Sequence, residues 1–262
     1  MMGNFVSTST ARIDPDEKQK RDRLVETFDQ FFEIIPANSL RLLEEVHKLR
    51  YQVYCCENVF ENPASYPDCR EMDAYDARSV HSLLVDKASG DSLGTVRIIL
   101  PDSKHPSKSF PIQEICRHQF LSERRLTGTI TAVEVSRFAI SKKCRNEWNL
   151  RKEMSLGEPT TAMAQLMALG LIKASVRMSV EHGISEWFAV MEPSLLRLFK
   201  RFGMYFRPVG PLVEYHGFRQ PCHAHLYNLL ERVRAENLGV WEVITDEGKY
   251  VDHEKESVRL TS

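Results

Sequence analysis

The stretch Thr129–Ile140 reads TITAVEVSRFAI, an apolar, β-branched run that carries a glutamate and an arginine in its interior. Val133, Val135 and Phe138 have the character of a buried strand. Such a strand ordinarily excludes charge, because desolvating an unpaired carboxylate or guanidinium is costly. Glu134 and Arg137 therefore require partners. Residues three apart on a regular strand point to opposite faces, so these two share a face only across a β-bulge, and a bulge is expected here. Alone, the stretch better fits a strand with two ordinary buried or edge ion pairs; what surrounds it shifts the balance toward a site.

Upstream, the spacing of Leu42, Leu43, Val46, Leu49 and Val53 predicts a helix running into Tyr54, with Arg50 and Tyr54 one turn apart on one face. Glu71-Met-Asp73-Ala-Tyr-Asp76 places three carboxylates in six residues, which repel unless cations face them. It is either a solvated acidic loop or one side of a charged cleft. Ser79–Val85 and Ser92–Leu100 form a hairpin across Lys87–Asp91, and Arg97 interrupts its second strand as another buried charge.

Further out, Pro15–Phe32 has an apolar stripe of Leu24, Val25, Phe28, Phe31 and Phe32 behind a charged face, and FEIIP at 32–36 is a short strand. Pro101–Gly128 and Ser141–Thr160 read as long polar connections. In the latter, Lys142–Lys152 carries five Lys or Arg against Glu147. A long helix follows over Thr161–His182, then a strand over Ser185–Met191, a helix opening at Pro193, and Met204–Val209 as the last clear strand. A terminal helix spans about His223–Ala235. The expected organisation is a tail and amphipathic helix (1–31), one α/β domain (32–218) and a C-terminal helix with an acidic tail packed on or trailing that domain (219–262).

The composition is that of a globular chain: 262 residues, 42% hydrophobic, 27% charged, net charge −1. That balance gives no general basis for nucleic-acid binding. Six scattered cysteines without a C-x-x-C pair suit reduced thiols in a cytoplasmic protein. Cys222, His223 and His225, with His216 upstream, lack a second ligand pair at zinc-like spacing, so no metal is expected. The most apolar segment, Ala162–Ile172, is too short to span a bilayer.

Leu49-Arg-Tyr-Gln-Val-Tyr54, Glu71-Met-Asp-Ala-Tyr-Asp76, Gly94-Thr-Val-Arg97 and Glu134-Val-Ser-Arg-Phe138 together resemble, motif by motif, the acyl-homoserine-lactone (autoinducer) synthase family. The N-acyl amino acid synthase branch is more similar still, in particular the PEP-CTERM/exosortase system-associated acyltransferases, whose openings look like FEIIPA and LRYQVYCCE. The resemblance covers roughly Phe32–Gly217. It implies a GNAT-like mixed-sheet α/β sandwich, in keeping with the element order. It also implies transfer of a long-chain acyl group from the phosphopantetheine thioester of acyl carrier protein to the amine of an amino acid, with no other cofactor. Autoinducer synthesis from S-adenosylmethionine is the enzymatic alternative, and a non-catalytic acyl- or carrier-binding module is the other. Where autoinducer synthases place phenylalanine and tryptophan, this chain has Tyr54 and Phe60, which favours the amino-acid acceptor.

The resemblance implies a charged cluster of Arg50, Asp73, Asp76, Arg97, Glu134 and Arg137, with Glu134 and Arg137 in the catalytic positions. Tyr54, Val135, Ser136 and Phe138 are the expected substrate neighbours. The chemistry needs such groups: a carboxylate such as Glu134 can take the attacking amine's proton, and amides freed by a bulge at Val135–Arg137 can receive the oxyanion. Met163, Leu166, Met167 and Phe188 are the expected acyl pocket. Lys142, Lys143, Arg145, Arg151 and Lys152 are expected to steer an acidic carrier. The fatty product or the N-terminal helix is expected to bring membrane contact. The stretch between Ile140 and Thr161 lacks the Gly-rich turn that cradles a coenzyme pyrophosphate, which suits a carrier-bound donor.

Overall fold

The computed structural model describes residues 15–116, 131–156 and 160–251. A mixed sheet runs in the order β1-β2-β3-β4-β5-β8-β6, and β7 pairs with β8 outside that path. The strands are β1 (Phe32–Pro36), β2 (Ser79–Asp86), β3 (Ser92–Ile99), β4 (Ala132–Ile140), β5 (Glu186–Met191), β6 (Arg207–Pro208), β7 (Val213–Glu214) and β8 (Phe218–His225). The described helices are α1 (Pro15–Phe31), α2 (Leu40–Tyr51), α3 (Pro111–Ile115), α4 (Lys142–Leu156), α5 (Thr160–Glu181), α6 (Pro193–Arg201), α7 (Leu226–Glu236) and α8 (Leu238–Thr245).

Strand alternation decides what faces what. On β2 and β3, Leu84, Val96 and Ile98 join Val133 of β4 in the main core with Leu166, Met167 and Leu169 of α5. The intervening residues face the other way: Leu83 and Val85 meet Val46 and Leu49 of α2, and Ile99 meets Phe110 and Ile112 around α3. The sheet is thus covered on both faces, and Arg97 of β3 points toward the α2 side. Ser39 caps α2, its hydroxyl accepting from Leu42 N at 3.3 Å. The helix then widens into a π-turn over Gln52–Glu57 instead of stopping. Such turns are frequent at functional sites.

Two irregularities open the sheet. The β3–β4 register shifts between Thr95↔Ala139 and Arg97↔Ser136, so β4 carries one extra residue there, and Arg137 adopts φ +47°. This is the expected bulge. Gly94 accompanies it, since a Cβ there would lie 2.8 Å from Ala139 O. In addition, β4 and β5 run parallel and pair only from Ala132↔Glu186 to Glu134↔Phe188. Beyond Glu134 the two strands have no pairing, and the edge of β4 faces a gap.

Several expectations are corrected. The basic connection after β4 is the helix α4, whose Trp148 is buried against Phe31 and Phe32. The β6 strand is only Arg207–Pro208, and the strand read as part of a C-terminal tail, β8, lies inside the sheet between β5 and β6. Its polar, proline-containing sequence, FRQPCHAH, hid it; Pro221 lacks an N–H, yet its carbonyl still accepts from Val209 N at 3.0 Å. Residues 219–251 therefore belong to the domain, and two helices rather than one follow β8. The apolar face of α1 is used internally: Phe28 and Phe31 are core residues and Arg21 pairs with Glu242 of α8. That leaves no apolar stripe on α1 for a membrane. No described helix is long and apolar enough to cross one. Residues 117–130, which include most of the latter half of the connection read over Pro101–Gly128, and the acidic end beyond 251 lie outside the described residues.

Candidate active site

The π-turn, the acidic loop, β3 and the β4 bulge converge on the α2 side of the sheet. The loop is fixed by its backbone, Glu71 N donating to His47 O at 3.1 Å and Asp73 N to Asp76 Oδ2 at 2.7 Å. Arg50 Nε then donates to Glu71 Oε2 and Arg50 Nη1 to Asp76 Oδ1, both at 2.6 Å. Arg97 reaches Asp73 Oδ1 at 2.7 Å and Asp76 Oδ1 at 2.8 Å, while its Nε donates to Ser136 Oγ at 3.0 Å. Arg137, turned by the bulge onto this same face, donates to Glu71 Oε1 at 2.8 Å and Asp73 Oδ2 at 3.0 Å. Its guanidinium lies 5.0 Å from the centre of the Tyr54 ring.

Three guanidiniums thus meet three carboxylates, and the count closes without Glu134. The charge states follow the geometry. Burial alone would raise Glu71, but the hydrogen bonds from Arg137 and Arg50 outweigh it and bring the pKa to about 2. Asp76 is likewise held well below the carboxylate range, with burial overridden by Arg50 and Arg97. Glu134 differs. It is buried, accepts one hydrogen bond from Ile112 N at 2.8 Å and makes no ion pair among the described residues. Burial therefore dominates and pushes it up to about 7. Carboxyls in one cleft are thereby divided into ionised scaffolding and one group poised to exchange a proton near neutrality.

Beneath the cluster, His47, Asp76 and His81 hold their ligating atoms within 4.8 Å of one another. Burial, then the charge of Arg50, pushes His81 down to about 3, so it is neutral. With Arg50 and Arg97 both on Asp76 Oδ1, a further cation would meet strong repulsion, and the group does not suit a metal.

A cavity of about 600 Å³ opens from this cluster through the gap between β4 and β5. Its polar end includes Tyr54, Asn58, Arg97, Glu134, Ser136 and Arg137. Its apolar depth is lined by Ala164, Ala168, Ile172 and Ser175 of α5, Trp187 of β5, and Leu195, Leu198 and Phe199 of α6.

Residues 49–153 match the acetyltransferase (GNAT) domain family. Among solved structures, the acyl-homoserine lactone synthase LasI superposes with TM-score 0.52 at 23% identity, over 73% of this chain and 87% of that one. The structure of TofI in a ternary complex with an inhibitor and MTA gives TM-score 0.56 at 20% identity, over 77% and 95%. FeeM, an N-acyl amino acid synthase from uncultured soil microbes, gives 0.52 at 13%, over 78% and 96%. The chain has the GNAT acyltransferase fold. No curated protein matches it in sequence.

Within that GNAT fold, Arg50, Tyr54, Asp73, Asp76, Arg97, Ser136 and Arg137 come together as described, and Glu134, Val135 and Phe138 line the cavity beside them. The expected acyl pocket is not what lines the depth. Leu166 and Met167 turn into the core between α5 and the sheet, and Phe188 lies on the other face against Phe110 and His223. The side chain of Met163 lies outside the described residues. Large side chains of α5 fill the core, and its small ones leave the space. Of the expected carrier-docking residues, Lys142 and Lys143 are exposed, Arg151 pairs with Asp91 at 2.8 Å, and Arg145 faces the cavity. The side chain of Lys152 is not described. Sequence reasoning missed Glu71 as the residue bridging Arg50 and Arg137, although it opens the acidic motif. Glu57, discussed below, carried no sequence signal.

Proposed function

We propose that the protein is an N-acyltransferase that moves a long-chain acyl group from a carrier-protein thioester to the amine of an amino acid. The observation that carries this reading is Glu134: a buried carboxyl that makes no ion pair among the described residues and whose pKa is pushed up to about 7, at the junction of a charge-balanced polar cluster and an apolar cavity. The acyl chain lies in the depth between α5, β5 and α6, which puts its carbonyl at the gap where β4 leaves β5. The amine attacks that carbonyl carbon and Glu134 takes the proton the nitrogen sheds. Amides along the unpaired edge of β4 receive the oxyanion. Collapse breaks the C–S bond, and the proton on Glu134 returns to the departing thiolate. The products are an amide and a free thiol. Exposed Lys142 and Lys143, beside the cavity wall, provide charge complementarity to an acidic carrier.

The test is mass spectrometry of lipids from cells producing the protein, together with release of carrier thiol in vitro. The expected result is an N-acyl amino acid formed over multiple turnovers and lost in Glu134→Gln. Methylthioadenosine formed from S-adenosylmethionine would replace the amino-acid acceptor with the autoinducer reaction. Acyl binding without turnover would reduce the protein to a binding module.

A further inference from the structure

The hairpin of β7 and β8 walls one side of the cavity mouth, and its two faces are inverted. Val213 pairs with Arg219 and Glu214 with Phe218, so side chains alternate across it. Tyr215, His216 and Arg219 line the cavity. Leu212, Glu214 and Phe218 stand in solvent. A half-exposed hairpin ordinarily buries its large apolar residues and turns its charges outward. Here Arg219 is turned in, pairing with Glu192 at 2.6 Å and lying 5.4 Å from the centre of the Phe60 ring. Leu212 is 52% exposed and Phe218 69%.

Beside the hairpin, the turn after α2 repeats the pattern. Phe60 packs on His216 with ring centres 5.7 Å apart, and Glu61 pairs with that histidine at 3.4 Å. Val59, next to them, is 74% exposed at φ +53°, a conformation that strains a β-branched residue. Three large apolar side chains thus border the mouth of a cavity whose depth is itself apolar. The start of α4 adds charge to this rim. Glu57 fastens that helix, accepting from Lys142 N at 2.7 Å and Ser141 Oγ at 2.6 Å, and Lys142 Nζ donates to Asn58 Oδ1 at 2.6 Å, one residue from Val59. Lys142, Lys143 and Arg201 are exposed. Against them, Glu192 is occupied by Arg219 and Glu214 faces outward with Phe218.

We propose that this rim seats on the surface of a lipid bilayer, with Val59, Leu212 and Phe218 entering the interfacial region and Lys142, Lys143 and Arg201 facing anionic headgroups. The proposal goes beyond the acyltransferase reading but rests on it: the cavity then opens onto the phase in which a fatty amide dissolves, and product leaves without crossing water. A protein partner fits less well. Three side chains offer on the order of 300 Å² of apolar surface, against about 800 Å² per partner in a specific interface.

Flotation with vesicles of phosphatidylcholine containing about one-third phosphatidylglycerol tests this without requiring turnover. The whole chain is expected to float with the vesicles, and the double variant Leu212→Ser/Phe218→Ser to bind them about tenfold more weakly. Neither residue lines the cavity, so the variant should keep the wild-type thermal transition and, without lipid, the wild-type rate of acyl transfer from soluble carrier. Equal binding by variant and wild type, or no binding by wild type, overturns the proposal. A variant that loses carrier-dependent turnover in lipid-free solution overturns it too, and gives the rim to the carrier. Flotation that depends on Leu212 and Phe218 in a protein showing no acyl transfer keeps the lipid surface and removes the reaction, so the two readings fail separately.

Discussion

Glu134 and Glu71 stand in the same cleft with opposite tasks, and the difference is hydrogen bonding. Glu71 meets two guanidiniums, whereas Glu134 meets one backbone amide. For Glu134, a folded pKa of about 7 against an ordinary 4.5 means that the native state holds a proton the unfolded chain has released. Stability therefore falls as pH rises from about 4.5 to 7 and levels off above. Glu134→Gln should remove that fall, gaining on the order of 3 kcal/mol at pH 8 relative to wild type, read by urea denaturation across pH. The same variant should lose about 10²–10⁴-fold in acyl transfer, and wild-type kcat/KM should rise with pH through about 7 as the base deprotonates. An activity profile flat across that range would remove Glu134 as the base. Glu71 has the reverse sign. Its pKa of about 2 lies below the ordinary 4.5, so its contribution is present above 4.5 and disappears as pH falls toward 2. Glu71→Gln leaves Arg50 and Arg137 partly unpaired in a buried setting and should cost about 3–5 kcal/mol, measured as a lower denaturation midpoint at pH 7.

At the scale of elements, α5 shows how one helix serves two purposes. Ala164, Ala168, Ile172 and Ser175 recur at spacings that keep them on one face, which borders the cavity, while Leu166, Met167 and Leu169 fill the core. The helix was legible from the sequence, but its large apolar residues drew attention away from the small ones that create space. Ala168→Leu should fill the depth of the cavity without touching the charged cluster. The expected outcome is a shift of the product distribution toward shorter acyl chains, with kcat/KM for the longest donors down on the order of tenfold. Product mass spectra measure it, and an unaltered chain-length profile would count against the acyl lining. The β4 bulge is the complementary case. A glutamate and an arginine three residues apart in an apolar strand demanded it, and the register shift at Arg137 supplies it.

Over the whole molecule, the sheet is completed by sequence that looked like a tail. The β8 strand pairs with β5 on one side and β6 on the other, and α7 and α8 add Leu226, Leu229, Leu230, Val233, Val240, Val243 and Ile244 to the main core. A chain ending at Gly217 should therefore not fold, which loss of the cooperative thermal transition would show. A stable, active chain ending at Gly217 would restore the boundary first drawn from the sequence.

The order of hydrophobic periods determined α1, α2, α5, α6 and most strands but not α4 or α8, and the misplaced charges in Arg97, Glu134 and Arg137 marked the site, because desolvation makes such residues improbable in a strand without partners. Tertiary structure alone decided which carboxylate pairs with which arginine, since that depends on loop closure across more than twenty residues, from Arg50 to Glu71 and Asp76. It alone decided the depth of the cavity, which is an absence of side chains, and the high pKa of Glu134, which comes from burial with a backbone amide and no ion pair among the described residues. A sequence displays the groups that are present; what they leave empty or unpaired is fixed only when the chain has packed.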